Sequence, residues 1–303
     1  MTFSFTILGS SSALPTSTRF TSAHVLNVHE RFFLIDCGEG TQMQMRKFKI
    51  KFGKINHIFI SHLHGDHTLG LFGLISTLVL LDRKSKLTIY APPQLEQIVN
   101  NHLEAFDITL PFTLQFITLN CTSSERIYEN KILYVETIPL KHRIPTCGFL
   151  FKEKPRLKNI RKEMIEKYKI PIRKMQDLKE GADLTLESGE VIPNEQLTLQ
   201  PSLPRSFAYC SDTLYTKDFL TKIQGVDLLY HEATFMHDMV DQARENFHST
   251  GHQAAMLAKQ AGAGKLILGH FSARYKDLDP LLQEARMVFE NTFLAEDGAS
   301  FSL

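Results

Sequence analysis

The stretch Ile55-Asn56-His57-Ile58-Phe59-Ile60-Ser61-His62-Leu63-His64-Gly65-Asp66-His67 decides the fold. Its first six residues are apolar enough, and short enough, to read as a buried strand. The polar run starts where that strand ends. His62 and His64 are two apart, so an extended backbone turns both toward one site. Asp66 and His67 follow a glycine turn and open the apolar stretch to Leu81, which reads as a helix and aims them at a neighbouring site. Two adjacent clusters of imidazole and carboxylate are the donor set that a dinuclear metal hydrolase needs.

Working outward, strand and helix signals alternate on both sides. Phe3–Leu8 reads as a first strand. Ala23–Val28 and Phe32–Asp36 read as a hairpin turning at Glu30-Arg31. Glu39–Lys47 and Pro92–Phe106 read as helices, the second with proline near its first turn. Leu87–Tyr90, Leu114–Leu119, Ile132–Ile138 and Phe149–Lys152 read as strands. Further on, strands are expected at Ser206–Cys210, Val226–Tyr230 and Lys265–Gly269, and helices at about Thr250–Gln260 and Pro280–Phe293. Strands followed by helices in both halves suggest an αββα sandwich, two mixed sheets with helices outside. Three of these strands end on a polar side chain able to bind metal. His142 follows Ile132–Ile138, Asp212 follows Ser206–Cys210, and His270 follows Lys265–Gly269. Singly each fits a capping or surface residue; together, on three strand ends, they extend the metal reading.

Composition narrows the class. A chain of 303 residues with 43% apolar content can bury a large core, as one domain or one domain with an insertion. A formal net charge of +1 gives no global attraction to nucleic acid or membrane, so any basic surface must be local. Cys37, Cys121, Cys147 and Cys210 form no C-x-x-C pair and read as reduced thiols of a cytoplasmic protein. The N-terminal residues lack an export signal's basic region, and no apolar run approaches a membrane span.

One segment interrupts the alternation, from about residue 151 to 203. Between residues 151 and 180 it carries 11 Lys/Arg against 5 Asp/Glu. Large apolar residues are sparse there, so the segment is expected to project rather than pack. A run of charge is usually a solvated surface; the alternative is contact with RNA phosphates.

Larger motifs complete the picture. They are Phe33-Leu34-Ile35-Asp36-Cys37-Gly38-Glu39-Gly40-Thr41-Gln42, then Ser61–His67, Lys141-His142-Arg143, Ser211-Asp212-Thr213, His231-Glu232-Ala233-Thr234, His248-Ser249-Thr250 and Gly269–Tyr275. In these the chain resembles the metallo-β-lactamase superfamily and, within it, the tRNA 3′-processing endoribonucleases of the ribonuclease Z family. The resemblance covers nearly the whole length. It implies a single metallo-β-lactamase-type domain over 1–303, with an inserted basic arm at about 151–203 that holds tRNA. It implies one Zn²⁺ on His62, His64, His142 and Asp212, and a second on Asp66, His67, His270 and the shared Asp212. Mn²⁺, Fe²⁺ or Co²⁺ also suit such donors. Asp36 would orient ligands, Asp66 would steer or deprotonate the attacking water, and His248 paired to Glu232 would protonate the leaving oxygen. Arg19 and Arg274, with Lys158, Arg161, Lys162, Arg173 and Lys174 on the arm, are the candidate RNA contacts. The implied partners are precursor tRNA and a second copy of the chain, with no membrane.

Two departures stand out. The arm's Lys169–Met175 stretch lacks the glycine of the family's Gly-Pro turn. The loop Pro15-Thr16-Ser17-Thr18-Arg19-Phe20 keeps Pro and Arg of the family's Pro-x-Lys-x-Arg-Asn but replaces Lys and Asn, which predicts weaker rejection of CCA-bearing RNA or an altered cleavage position. Ser211 stands where relatives often have glycine. A second reading keeps the scaffold but acts on small phosphodiesters or other RNA. A third, a non-catalytic RNA-binding subunit, is disfavoured because all seven ligand positions are filled.

Overall fold

A computed structural model describes residues 2–303. The first sheet takes β1 (Phe3–Gly9), β2 (Ala23–Val28), β3 (Arg31–Cys37), β4 (Ile55–Phe59), β5 (Leu87–Ala91) and β6 (Leu114–Thr118), with the last strand, β18 (Ser300–Ser302), on its outer edge beside β1. β1 to β3 pair antiparallel, and β3 to β6 pair parallel. The β2–β3 hairpin turns at His29-Glu30, one residue earlier than expected. Val28 pairs with Arg31, and both turn residues take positive φ, as a two-residue hairpin loop that matches strand twist requires.

The second sheet holds β7 (Arg126–Glu129), β8 (Leu133–Leu140), β9 (Thr146–Glu153), β14 (Ser206–Cys210), β15 (Leu228–Glu232), β16 (Leu266–Gly269) and β17 (Thr292–Leu294) in the order β17-β16-β15-β14-β9-β8-β7. β14 to β17 run parallel. The two sheets meet through aromatic rings. Phe5 lies 4.5 Å from Phe207, Phe33 lies 5.5 Å from Phe151, and Phe59 packs on Phe149 and Phe151 at 5.4 Å each. Such pairs add to the burial of large apolar area.

Helices cover the outer faces. α1 (Thr41–Lys47), α2 (Gly65–Thr68), α3 (Gly70–Leu80) and α4 (Gln94–Ala105) serve the first sheet, where Met45, Leu71, Leu74, Ile75, Leu78, Leu95 and Val99 join the strands in one buried cluster. α8 (Val240–Glu245), α9 (Gly251–Ala261) and α10 (Asp279–Arg286) follow β15 and β16 in the second half. α9 starts on a capping box, Thr250 accepting from the Gln253 backbone while Gln253 reaches back, and ends on Gly262 in the left-handed region. The architecture is the expected αββα sandwich. The helix expected over Pro280–Phe293 stops at Arg286 instead. Thr292-Phe293-Leu294 pairs with β16, and sheet pairing at that edge overrides local helical pattern.

Residues 131–133 and 152–205 form a separate compact unit. It holds β10 (Asn159–Ile160), β11 (Leu184–Thr185), β12 (Val191–Ile192), β13 (Thr198–Leu199), α5 (Lys162–Lys167), α6 (Ile172–Glu180) and α7 (Asn194–Leu197). Contrary to the expectation of a segment without packing, Ile170, Leu178, Leu184, Ile192 and Leu197 build a small core flanked by Ile160, Met164, Ile165, Tyr168, Met175 and Leu186. The apolar residues are spread thinly along the sequence and gather only on folding. Buried Glu153 takes a two-pronged hydrogen bond from Arg205, at 3.1 Å from Nε and 2.9 Å from Nη2.

The cysteine expectation holds for two residues and fails for two. Cys37 and Cys210 are buried free thiols, whereas Cys121 and Cys147 are bonded. They stand 26 residues apart, and only the return of β9 brings them together. Among the described residues no helix is long and apolar enough to cross a membrane.

Phe59 is fully buried, stacked on Tyr90 at 4.4 Å and edge-on to both Phe149 and Phe151. Phe59→Ala is expected to cost about 3–5 kcal/mol in urea unfolding. A loss below about 1 kcal/mol would show that the rings do not bind the sheets together.

Candidate metal centre

The Ser61–His67 loop leaves the C-terminal end of β4, in a sheet whose parallel strands all point their carboxyl ends the same way. α2 and α3 can follow it closely because Gly70 lies against the Gly38 carbonyl; a Cβ at position 70 would collide with that oxygen. Asp212 follows β14, His270 follows β16, and His142 follows β8. His270 and Asp36 both hold positive φ, 60° and 56°, uncommon conformations for residues with a Cβ and found where a site over-determines the backbone.

Two donor sets result. In the first, His62 Nε2 lies 3.0 Å and His142 Nε2 3.3 Å from His64 Nδ1, and both face Asp212 Oδ2 at 3.6 and 3.8 Å. In the second, His67 Nε2, His270 Nε2 and Asp66 Oδ2 are mutually 3.3 Å apart, with Asp212 Oδ1 at 3.5 Å from His67 and 3.2 Å from His270. A tetrahedral cation with donors at about 2.0–2.1 Å has donor–donor edges of roughly 3.3 Å. The two oxygens of Asp212 address different sets.

Proton bookkeeping shows what the sets can hold. His67 Nδ1 faces Asp36 Oδ2 at 2.8 Å, and His142 Nδ1 faces the Phe247 carbonyl at 2.9 Å. Both oxygens only accept, so both nitrogens donate. Thr234 Oγ1 gives its proton to Glu232 Oε2 and therefore accepts from His270 Nδ1 at 2.9 Å. Ser61 Oγ gives its proton to Asp36 Oδ2 and accepts from His62 Nδ1 at 3.0 Å. In their neutral form all four rings thus turn a bare Nε2 inward. The buried Asp212 Oδ1 has no hydrogen-bond partner among the described residues. Converging lone pairs and an orphaned carboxylate oxygen are stable around a cation and repel one another without one. Burial opposes charge on His67, yet Asp66, Asp212 and Asp36 outweigh it and hold its pKa well above the ordinary value; the same field favours a bound cation.

A cleft of about 610 Å³ opens over both sets. His248 lines it, its Nδ1 donating to Glu232 Oε1 at 2.9 Å. Glu232 is fully buried and also accepts from the backbone of Thr213, Thr234 and Ser249. Burial alone would lower the His248 pKa, but the Glu232 charge and hydrogen bond raise it to about 9.

Comparison with known proteins places this site in a family. A family model described as anti-Pycsar protein Apyc1 matches residues 3–159. The ribonuclease Z of Phocaeicola vulgatus is 48% identical over 301 residues, 99% of this chain and 97% of the relative. That of Parabacteroides distasonis is 46% identical, covering 99% of both. The chain belongs to the ribonuclease Z family. Among solved structures, human tRNase Z, short form, matches with a TM-score of 0.71 and 28% identity, over 99% of this chain and 98% of that one. The metallo-β-lactamase fold protein YhfI from Bacillus subtilis, at 18% identity and a TM-score of 0.70, shares the fold.

All seven ligand candidates converge, and His248 and Glu232 meet beside them. The expected RNA contacts divide. Arg19 is engaged, its Nη2 donating to the carbonyls of Ser272 and Tyr275 at 3.4 and 2.8 Å, so it pins the loop after His270. Arg274 lines the cleft, lies over the Phe235 ring at 5.0 Å and is braced by Ser272, Met239 and Gln242. In the smaller unit, Lys158 donates to Asn194 and Lys174 to the Thr185 carbonyl, while Lys162 and Arg173 are exposed. Sequence reading missed Arg143, held by Asn246 at 2.6 Å on the cleft wall, and Tyr209, whose hydroxyl reaches Asp36 at 2.7 Å. Arg143 stood beside a ligand in a quoted motif; Tyr209 carried no signal.

Because the His248 pKa is raised on folding, its pairing with Glu232 stabilises fully below the ordinary value of 6.5, and that contribution is lost as pH rises through about 9. NMR titration of the metal-free protein is expected to find the His248 imidazolium persisting to about pH 9. In Glu232→Gln the largest raising influence is removed and the pKa falls well short of about 9, although Asp212 and Asp66 still favour the charge; an unmoved titration would show that Glu232 does not hold the proton.

Proposed function

We propose that this protein removes 3′ trailers from precursor tRNA with two divalent cations, leaving a 3′-hydroxyl on the tRNA. The observation that carries the reading is the Asp212 carboxylate, one oxygen turned to each donor set, beneath a cleft flanked by the His248–Glu232 pair. His62, His64, His142 and Asp212 would hold one cation; Asp66, His67, His270 and Asp212 the other. Imidazole and carboxylate in near-tetrahedral sets favour zinc, with Mn²⁺, Fe²⁺ or Co²⁺ as substitutes. When bound, the cations supply Lewis acidity, making a water acidic enough to attack near neutral pH and offsetting charge at the phosphodiester.

The chain's residues do the rest. Asp66 stays ionised because the His67 and His270 interactions outweigh its burial, so it can orient the attacking water and accept its proton. As the bond from phosphorus to the 3′-oxygen breaks, His248 donates its proton to that oxygen, and Glu232 holds the imidazolium in place until then. Arg143 and Arg274 on the cleft wall suit phosphates flanking the scissile one. The unit spanning 152–205 would supply the distant grip on tRNA, read by shape and backbone. The expected assembly is a homodimer, and the expected compartment is the cytoplasm. Because Arg19 is spent on the 270–275 loop, the Pro15–Phe20 departure is expected to act on CCA discrimination through that loop's position.

Incubation with a 3′-extended precursor tRNA is expected to give a metal-dependent cut next to the discriminator base, absent in His64→Ala. No cut, with a small phosphodiester still hydrolysed, would replace this reading with a small-ester phosphodiesterase. Charge reversal by Lys162→Glu with Arg173→Glu is expected to raise KM for precursor tRNA and lower the salt slope by about 0.7–0.9 per lost phosphate contact. Small-ester turnover should be unchanged; an equal fall in both activities would remove the exosite role.

A further inference from the structure

The strand that delivers Asp212 also spends two hydroxyls on the opposite wall of the site. Tyr209 lies in β14, which ends at Cys210, and Ser211 and Asp212 follow directly; the Tyr209 and Ser211 hydroxyls reach Asp36 and Ser61, while Asp212 turns to the donor sets. Each is only 1% exposed, and a buried hydroxyl is costly unless it is hydrogen-bonded. The Tyr209 hydroxyl donates to Asp36 Oδ2 at 2.7 Å and so accepts from Ser22 Oγ at 3.2 Å. Ser61 Oγ has a single proton, given to Asp36 Oδ2 at 2.9 Å. The Ser211 hydroxyl, 3.0 Å from Ser61 Oγ, therefore donates to it.

These hydroxyls reach different histidines through different atoms. Ser211 shares the Ser61 Oγ acceptor with His62 Nδ1, a ring of the first donor set. Tyr209 shares the Asp36 Oδ2 acceptor with His67 Nδ1, a ring of the second. We propose that Ser211 and Tyr209 are positioning residues that tune the two metal sites unequally, Ser211 acting first on His62 through Ser61 and Tyr209 first on His67 through Asp36, the two routes meeting only at Asp36 Oδ2. One strand thus bridges the two sets with Asp212 and fixes the outer nitrogen of one histidine in each. The Ser211 hydroxyl anchors Ser61 against rotating off His62. The inference rests on the two-cation reading above.

The test uses apo protein loaded with ¹¹³Cd²⁺ and observed by cadmium NMR. Wild type is expected to give two signals, the one with three nitrogen donors downfield of the one with two. Under chelator competition, Ser211→Ala should lose the downfield signal at about tenfold lower chelator than wild type and keep the other; Tyr209→Phe should do the reverse. Ser211→Thr, which keeps a hydroxyl, should retain the downfield signal better than Ser211→Ala. Thermal melting of the apo proteins checks folding. Should Tyr209→Phe fail to fold, Ser211→Ala decides alone: loss of both signals together, or of neither, overturns the proposal. A wild-type protein with fewer than two signals overturns the two-cation reading itself, and this inference with it.

Discussion

The Asp36 carboxylate is the point on which the rest of the site depends. It is fully buried yet accepts four hydrogen bonds, from the Ser61 backbone, the Ser61 hydroxyl, His67 Nδ1 and the Tyr209 hydroxyl. A buried charge is tolerable only when so paired. Its donors come from β14 and from the Ser61–His67 loop, while Asp36 itself is the last residue but one of β3. One carboxylate therefore ties the first sheet's ligand loop to the second sheet's bridging strand. Its left-handed backbone, uncommon for a residue with a Cβ, is held by those same bonds.

The ligand shell follows the same logic of committed outer atoms. Histidine can present either nitrogen to a metal, and only its second partner decides which. Here a carboxylate, a carbonyl and two hydroxyls make that choice for His67, His142, His270 and His62. The Phe247 carbonyl that orients His142 sits just before His248. Asn246, one residue earlier, holds Arg143, and Gln242 in α8 helps brace Arg274. The short segment from α8 to His248 thus arranges the His142 ring, the His248–Glu232 pair and two cleft arginines at once. Under the proposed mechanism, small shifts there would reach more than one step.

The smaller unit bears on the proposed grip on RNA. Under that reading, extended phosphate contacts supply affinity without sequence reading. The unit's own core, with the Glu153–Arg205 pair, lets it hold a shape while exposing Lys162 and Arg173. Some of its basic residues serve that shape: Lys158 and Lys174 hold neighbouring backbone and side-chain oxygens. Counting cations in sequence therefore overstates the charge free to meet RNA.

Much of this was legible in the sequence. The apolar run before Ser61, the two-residue spacing of His62 and His64, and the polar residues ending three later strands picked out the candidate donor residues and the αββα class, because strand periodicity and strand-end chemistry are local properties. Tertiary structure alone decided the rest. The Cys121–Cys147 bond, β17 in place of a longer helix, the small unit's core and the reach of Tyr209 and Ser211 to Asp36 and Ser61 all join residues remote in sequence. Spacing along one strand says which way a side chain points; it cannot say what another sheet will bring to meet it.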